Sequence, residues 1–196
     1  PTQHSPLLFS WAGPDFYKGQ RRRHRAVKTT LFPRRAVLLG GLAAFLSGCA
    51  SKFRSYGGPE VTRVRLYKGQ RLLVLDGADR VLQTYPVGLG FAPEGHKQFE
   101  GDGRTPEGAY VVDKRNPDST YHLSIGISYP NEADIAFAEA QGRSPGGDIF
   151  IHGGPRPGID PTDVRDWTAG CIAVTDRQIE DIYAMVKDGT PIHIFA

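Results

Sequence analysis

The sequence is poor in cysteine, in methionine and in long hydrophobic runs. Its 196 residues include two cysteines and one methionine, which excludes a framework of several disulfides and a zinc site built on CxxC pairs. The main apolar run, residues 36–46, is eleven residues long, whereas a helix that spans a bilayer needs about 20. No internal repeat or low-complexity segment is present, so solenoid and fibrous architectures are excluded as well.

The positive charge of the chain is concentrated at one end. The formal net charge is +3, but residues 1–49 carry eight Lys/Arg against one acidic residue. Residues 50–196 carry sixteen basic against twenty acidic residues and are mildly acidic. The basic balance of the whole chain therefore gives no reason to predict binding to nucleic acid.

Residues 1–49 have the composition of an export leader. Basic residues that end in Arg34–Arg35 precede the apolar run, which has the length of a signal-peptide core. The run closes on "LSGC" at Cys49, and this ending resembles a bacterial lipoprotein signal. The resemblance implies cleavage before Cys49, lipidation of its thiol and a membrane-anchored protein in the periplasm or otherwise outside the cytoplasm. The alternative is a short buried helix with an incidental cysteine.

Two further features concern the leader. The arginine pair before the apolar run also permits twin-arginine export, although "PRRAVLL" matches that signal only in part. The chain begins with proline, and we expect residues 1–26 to be upstream read-through, with the true start near Val27 or Leu31. Native peptides from residues 1–20 in a mass spectrum would contradict this expectation.

The remainder divides into a tether and one domain. Residues 50–60 are polar and contain glycine, which predicts a flexible tether, and residues 61–196 are predicted to form one domain. Alternating or short apolar segments predict strands, namely 61–67, 71–76, 80–90, 108–115, 122–129, 148–153 and 192–195. Helices are predicted at 131–141, with Asn131 as N-cap, and at 176–187, after a Thr175/Gln178 capping box. The fold class is therefore mainly β, with one or two short helices.

Beyond the leader the chain holds a single thiol, Cys171. An unpaired cysteine in an exported protein is a candidate reactive thiol, and a buried core cysteine is the alternative. His152 ends one predicted strand and Cys171 begins the next apolar segment, so a proline-containing loop can bring the two together. A neighbouring imidazole supports the thiolate that attacks a carbonyl. Gly170 permits close approach, and N–H groups near Gly170 and Cys171 are candidates for an oxyanion hole.

The segments "IHG" and "WTAGCIAV" around this pair resemble the signature of the L,D-transpeptidase catalytic domain. Upstream segments at 101–112, 122–131 and 144–153 extend the resemblance over residues 61–196. The resemblance implies an L,D-transpeptidase-like β-sandwich. It is closest to a periplasmic subgroup that includes both transpeptidases and hydrolases of peptidoglycan cross-bridges.

The same resemblance assigns roles to the motif residues. It implies that Cys171 is the nucleophile and that His152 is the general base and later the acid, oriented by the backbone carbonyl of Gly153. Thr168 stands at the Ser/Thr position of the motif, with its hydroxyl close to the turn that holds Gly170.

Two positions depart from the family pattern. Ala169 stands where many members have a second histidine, and Ala173 stands where many have Asn or Arg. Both departures put the choice of substrate in doubt more than the activity.

The implied reaction is acyl transfer on peptidoglycan stem peptides, in cell-wall cross-linking or remodelling. Cys171 would form a thioester at the L-centre of meso-diaminopimelate, and an amine would resolve it. Arg104, Arg156 and Arg165 are candidates for binding stem-peptide carboxylates, with solvated surface charges as the alternative. We predict no metal and no cofactor, since a zinc site that combines His152, Cys171 and a third histidine lacks ligand pairs at the usual spacing.

Two other functions remain open. One is a hydrolase that cuts diaminopimelate-linked bonds, for example to the lysine of a wall-linked lipoprotein. The other is a non-catalytic wall-binding module in which the cysteine is structural.

Overall fold

The computed structural model describes residues 51–154 and 165–196. The predicted leader with Cys49, and Arg156 in the loop before the thiol, lie outside the described residues. Eight strands occur in the described part of the chain: β1 (Arg63–Tyr67), β2 (Leu72–Asp76), β3 (Val81–Pro86), β4 (Gly108–Asn116), β5 (Ser124–Ile127), β6 (Phe150–His152), β7 (Ile172–Ala173) and β8 (Pro191–Phe195). The same part holds two helices, α1 (Glu132–Ala140) and α2 (Asp176–Met185).

The strands form one sheet in the order β3-β2-β1-β8-β4-β5-β6-β7. Strand β4 belongs to both halves of the sheet, because Gly108–Val111 pair with β8 and Val112–Asn116 pair with β5. Its register shifts between Val112 and Lys114, and such an irregularity lets a strand turn a corner between two layers. The prediction of a mainly β sandwich with two short helices is confirmed, with the two layers joined as one curled sheet.

The two ends of the sheet meet at β7. After Pro86 the chain leaves β2, and Gly88 exchanges two backbone hydrogen bonds with Ala173, at 2.9 and 2.8 Å. Gly90 forms a further bridge with Thr168. This closure is the physical reason why β3 ends at Pro86 rather than continuing to residue 90 as predicted. It also fixes the segment before Cys171 against the opposite end of the sheet.

Apolar alternation places one face of each strand in a shared core. Leu66 of β1 and Ile192 of β8 have no exposed surface, and Ile125 and Ile151 of the other half belong to the same core cluster. Burial of aliphatic side chains of this kind is the main stabilising contribution in a sheet protein.

Both helices begin at the predicted caps. The Asn131 side chain accepts hydrogen bonds from the N–H groups of Ala133 and Asp134, and Thr175 and Gln178 form a reciprocal capping box. These bonds satisfy N–H groups that the first turn of a helix leaves without partners. Neither described helix is long and apolar enough to cross a membrane.

Candidate active site

The turn from Thr168 to Cys171 is braced from within. Buried Thr168 donates its hydroxyl to the Cys171 carbonyl at 2.7 Å and accepts the Gly170 N–H at 3.1 Å. Gly170 has a φ of 134°, and a Cβ there would lie 2.6 Å from the Arg104 carbonyl oxygen. Only glycine fits both the backbone conformation and the contact, so this turn presents Cys171 in a fixed position.

The Cys171 thiol lies against the start of β6. Its Sγ accepts the Phe150 N–H at 3.4 Å and points towards the Asp148 carbonyl at 3.5 Å. Strands β6 and β7 pair in parallel, with His152 opposite Ala173. Because side chains alternate along a strand, Phe150 and His152 share a face of the sheet. The structure therefore brings the predicted nucleophile and base to one face of neighbouring strands.

The imidazole of His152 is buried, with 4% of its surface exposed, and its tautomer follows from its partner. Nδ1 lies 2.7 Å from the Gly153 carbonyl oxygen. A carbonyl can only accept, so Nδ1 carries the proton and the lone pair of neutral His152 lies on Nε2. This is the carbonyl contact that the resemblance implied for Gly153.

Gly153 is held where no side chain fits. Its N–H donates to the carbonyls of Tyr121 and Leu123, at 3.0 and 3.2 Å. A Cβ at this position would lie 2.5 Å from both the Tyr121 carbonyl oxygen and a carboxylate oxygen of Asp176. The carbonyl that orients His152 therefore depends on glycine at position 153.

Two aromatic rings surround the imidazole. The Tyr121 ring lies 4.5 Å from the His152 ring, tilted by 32°, and the Trp167 ring meets it edge-on at 5.6 Å. Neither residue was predicted as part of the site, although Trp167 lies inside the motif segment "WTAGCIAV". The rings limit the access of water to the base and restrict its orientation.

Burial sets the charge state of the pair. It raises the pKa of the Cys171 thiol, against the opposing effect of the Phe150 N–H. Burial also lowers the pKa of His152 below its ordinary value, against the opposing bond to Gly153. Both shifts favour a neutral thiol and a neutral imidazole at neutral pH. The arrangement suits a base that removes the thiol proton as the sulfur attacks.

The backbone donors near the thiol are not equivalent. The N–H of Gly170 already donates to Thr168. Among the bonds of the described residues, none engages the N–H of Cys171. Of the two N–H groups expected at an oxyanion position, that of Cys171 is the better candidate.

An ion pair anchors the chain ahead of the turn. Asp166 accepts from the Arg71 guanidinium at 2.8–3.2 Å and from the Leu89 N–H at 3.0 Å. The Arg71 and Leu89 bonds lower the pKa of Asp166 in spite of its burial. This residue was missed because its partner lies 95 positions away, and no local pattern connects the two.

The other predicted residues lie at or near this corner in different roles. Arg104 packs its backbone against Gly170, and its guanidinium is 3.5 Å from the His96 carbonyl. Arg165 is exposed, with its carbonyl close to Gly88. Exposed Ala169 and buried Ala173 place no polar side chain beside Cys171.

A zinc site would need a further histidine in addition to His152 and Cys171, and two of the candidate histidines are hydrogen-bonded to other residues. His96 bonds to Asp134 and to the Glu107 N–H, and His122 bonds to Glu180. Within residues 51–154 and 165–196, no group of three or more His, Cys, Asp or Glu is arranged to hold a metal ion.

A family model matches most of this region. The model of the YkuD family, described as the L,D-transpeptidase catalytic domain, matches residues 62–194. The matched segment contains β1–β7, all but the last residue of β8, both helices, His152 and Cys171.

Individual relatives agree with the family match. YafK of Escherichia coli K12, provisionally described as an L,D-transpeptidase, is 30% identical over 129 residues, which cover 63% of this chain and 46% of YafK. The crystal structure of the helical cell shape determining protein Pgp2 of Campylobacter jejuni aligns with a TM-score of 0.56 at 28% identity, over 75% of this chain and 51% of Pgp2. A mutant of Pgp2 aligns with a TM-score of 0.53. The chain spans about half the length of these relatives.

Proposed function

The chain belongs to the L,D-transpeptidase catalytic-domain family, and on that premise we propose that it is a cysteine acyltransferase that acts on peptidoglycan stem peptides. The observation that carries the proposal is the contact between His152 Nδ1 and the Gly153 carbonyl. It leaves the basic lone pair on Nε2, on the face of the sheet that also holds the Cys171 thiol. A structural cysteine would not need a base in a fixed tautomer beside it.

The first half of the reaction forms a thioester. His152 Nε2 takes the thiol proton as Sγ attacks the amide carbonyl at the L-centre of diaminopimelate in the stem peptide. The Cys171 N–H stabilises the negative charge that develops on the carbonyl oxygen. The C–N bond then breaks, and the leaving amine receives the proton from the His152 imidazolium.

The second half resolves the thioester. In transpeptidation an amine of a second stem attacks the thioester carbonyl, a new amide forms and the thiol is released. Water in place of the amine gives hydrolysis, the alternative that includes cleavage of links to a wall-linked lipoprotein. The corner around His152 is half-enclosed by Tyr121 and Trp167, which favours transfer to a bound amine over attack by bulk water.

Product analysis tests this proposal. The full chain is incubated with tetrapeptide muropeptides, and the products are separated and weighed by mass spectrometry. We expect cross-linked dimers in the wild-type reaction and none with Cys171→Ala. Shortened or released stems without dimers would identify the hydrolase, and a folded protein that changes no stem at all would point to the wall-binding module.

The dependence of the reaction on pH tests the role of the base. Imidazolium cannot accept the thiol proton, so the rate rises with pH through the pKa of His152. Burial lowers that pKa, and the acid limb should therefore have its midpoint below about 6.5. An acid limb centred above that value would contradict a buried neutral base.

We also propose, from the leader alone, that the protein is exported, tethered to a membrane through lipid on Cys49 and active in the periplasm. Support comes from the basic stretch, the short apolar run and the "LSGC" ending. Metabolic labelling with a radiolabelled fatty acid should mark the wild-type protein and not Cys49→Ala. Equal labelling of both would contradict the anchor.

A further inference from the structure

A cavity of about 280 Å³ lies over β4, β5 and the segment that leads into β6. Its lining includes Lys114 of β4, Gly126 of β5, and Asp148 and Phe150 at the start of β6. Two of these residues also touch the nucleophile through their main chains, since the Asp148 carbonyl and the Phe150 N–H both contact Sγ. A molecule in the cavity would therefore lie next to the thioester that Cys171 forms.

Gly126 lines the cavity at a place where there is no room for a side chain. A Cβ on Gly126 would lie 3.0 Å from the Lys114 Cβ and 3.0 Å from the Phe150 ring. The ammonium of Lys114 is 5.4 Å from the centre of that ring. Glycine at this position thus lets a cationic and an aromatic side chain pack closely over the strand.

Two opposite charges stand at the rim of this cavity. The Lys114 ammonium and the Asp148 carboxylate are 3.4 Å apart, and the two side chains are 58% and 81% exposed. An ion pair this exposed contributes little to stability, so a ligand can open it at low cost. Asp148 has a φ of 54°, a left-handed conformation that is uncommon outside glycine and is found more often at functional positions.

The charge of Asp148 acts at the reacting sulfur. Together with burial, it raises the pKa of Cys171 and so makes the thiolate harder to form. The ion pair with Lys114 gives no reason for a carboxylate at a place where it has this effect. A carboxylate at this place favours a cation close to the thioester. The incoming amine of a transpeptidase is such a cation until it loses one proton.

A zwitterionic ligand would complement the two opposite charges at the rim of the cavity. If one carbon of the ligand carries an ammonium and a carboxylate, the ammonium can contact the Asp148 carboxylate and the ligand carboxylate can contact the Lys114 ammonium. Each of the four charged groups then has neighbours of opposite sign. The end of an amino acid has this structure, and so does the diaminopimelate end that a stem peptide leaves unlinked. A simple amine matches only half of it.

Resting on the proposed function, we propose that the cavity is the acceptor subsite, in which Asp148 binds the α-ammonium and Lys114 the α-carboxylate of an amino-acid end. The bound ammonium first loses one proton to solvent, and the amine attacks the thioester carbonyl carbon. The C–N bond forms and the C–S bond breaks. His152 takes the second proton from nitrogen and passes it to the departing sulfur, which restores the Cys171 thiol. The subsite selects amino-acid ends over other amines and over water.

The test follows a preformed thioester, so that the acylation step does not enter the result. The full chain is acylated with a tetrapeptide muropeptide, freed of excess donor and mixed either with deuterium-labelled D-alanine, whose amide product differs in mass from the donor, or with ethylamine, which lacks the carboxylate. Mass spectrometry then gives the ratio of amide product to hydrolysed stem for each acceptor. For the wild type we expect D-alanine to give about ten times more amide than ethylamine, the range of a charge-assisted contact.

The two variants are expected to differ in kind. Asp148→Asn should lower the amide fraction with both acceptors by about tenfold, because the ammonium contact is common to both. Lys114→Gln should lower the amide fraction obtained with D-alanine to that obtained with ethylamine, and it should leave the amide fraction with ethylamine unchanged. Asp79→Asn, an exposed acid in the β2–β3 turn, makes the same charge change away from the cavity and should match the wild type.

The outcomes separate the two proposals. If the wild type forms no thioester, the proposed function fails and the acceptor subsite fails with it. If the thioester forms but Asp148→Asn leaves the amide fraction unchanged with both acceptors, the subsite alone is overturned. Equal loss for both acceptors in Lys114→Gln would likewise overturn the carboxylate contact, since it would show that Lys114 only supports Asp148.

Discussion

The two halves of the curled sheet differ in the kinds of side chain that they bury. In the half made of β1, β2, β3 and β8, which we call the remote half, Leu66 and Ile192 are fully buried and Asp76 is paired with Arg65 and Arg63. Its apolar groups are out of water, and this carboxylate has cationic partners. This half contributes stability and holds none of the residues to which we assign chemistry.

The half made of β4–β7, the catalytic half, contains groups that a purely structural sheet would avoid. It buries a titratable imidazole, His152, beside a thiol, and it depends on glycines at 153 and 170 that no other residue can replace without a clash. The remote half therefore provides a rigid support, and the catalytic half holds the candidate reactive groups in fixed positions on that support. Variants in the two halves should therefore separate activity from stability.

The largest expected effect is on rate, in the catalytic half. His152→Gln keeps a side chain of similar size but removes the base, and we expect acylation to fall by about 10²–10⁴-fold, the usual contribution of general acid–base catalysis. The midpoint of thermal unfolding should stay within a few degrees of the wild type. Stopped-flow or quenched acylation, with a parallel melting curve, measures both. A loss of rate that only accompanies unfolding would contradict the assignment.

The matching effect on stability belongs to the remote half. Ile192→Ala removes a fully buried side chain from β8, and we expect a loss of about 2–5 kcal/mol in the free energy of unfolding. Denaturant titration measures it. At a temperature where the variant remains folded, its acylation rate should equal that of the wild type. A large drop in rate for the folded variant would break the division between the halves.

A third variant should affect both quantities at once. Gly170→Ala forces a left-handed backbone on alanine and brings a Cβ to 2.6 Å from the Arg104 carbonyl oxygen. We expect about 1–3 kcal/mol of destabilisation and a clear loss of rate, because the turn that carries Cys171 must shift. Ala169→Gly, at the neighbouring exposed position, is the control. Normal rate and stability in Gly170→Ala would show that the turn is not held by this contact.

The smallest expected effect is on stability, where the contribution of the ion pairs in the remote half should depend on pH. Hydrogen bonds from Arg65 hold the pKa of Asp76 below its usual value in spite of burial, and Arg63 acts in the same direction. A carboxyl with a lowered pKa contributes stability above its unfolded pKa of about 3.9, and that stability is lost as the pH falls through the folded value. Asp76→Asn should cost about 1–2 kcal/mol at pH 7 and much less near pH 2.

Denaturant titration at the two pH values gives the difference. Asp79→Asn, also close to the β2–β3 turn but exposed, should show no such pH dependence. Equal destabilisation by Asp76→Asn at both pH values would mean that the ionised carboxylate contributes nothing.

Features set by neighbouring residues were predictable from the sequence. The caps Asn131 and Thr175 lie where the pattern placed them, because a cap is recognised from a few consecutive residues. The strand segments also agree, apart from bounds that tertiary pairing decides, such as the end of β3 at Pro86. The pair of His152 and Cys171 was selected by its motif, and its catalytic role stays a prediction.

Features set by distant residues were not predictable. Nothing local shows that β1 pairs in parallel with β8, about 130 positions further along the chain, or that Gly88 bonds to Ala173. The aromatic contact of Tyr121 with His152 and the charge pair at the acceptor cavity arise from the same long-range pairing of β4, β5 and β6. The sequence thus indicates which residues are candidates for the reaction, and the fold decides what surrounds them.

The central claim is that Cys171 forms a covalent thioester with a stem peptide. Intact-protein mass spectrometry of the full chain after brief incubation with a tetrapeptide muropeptide, stopped in acid, tests it most directly. We predict one adduct per molecule, located on the peptide that contains Cys171 and lost on treatment with hydroxylamine, and no adduct on Cys171→Ala. Turnover of the stem by Cys171→Ala, or an adduct of the same mass on that variant, would contradict the account.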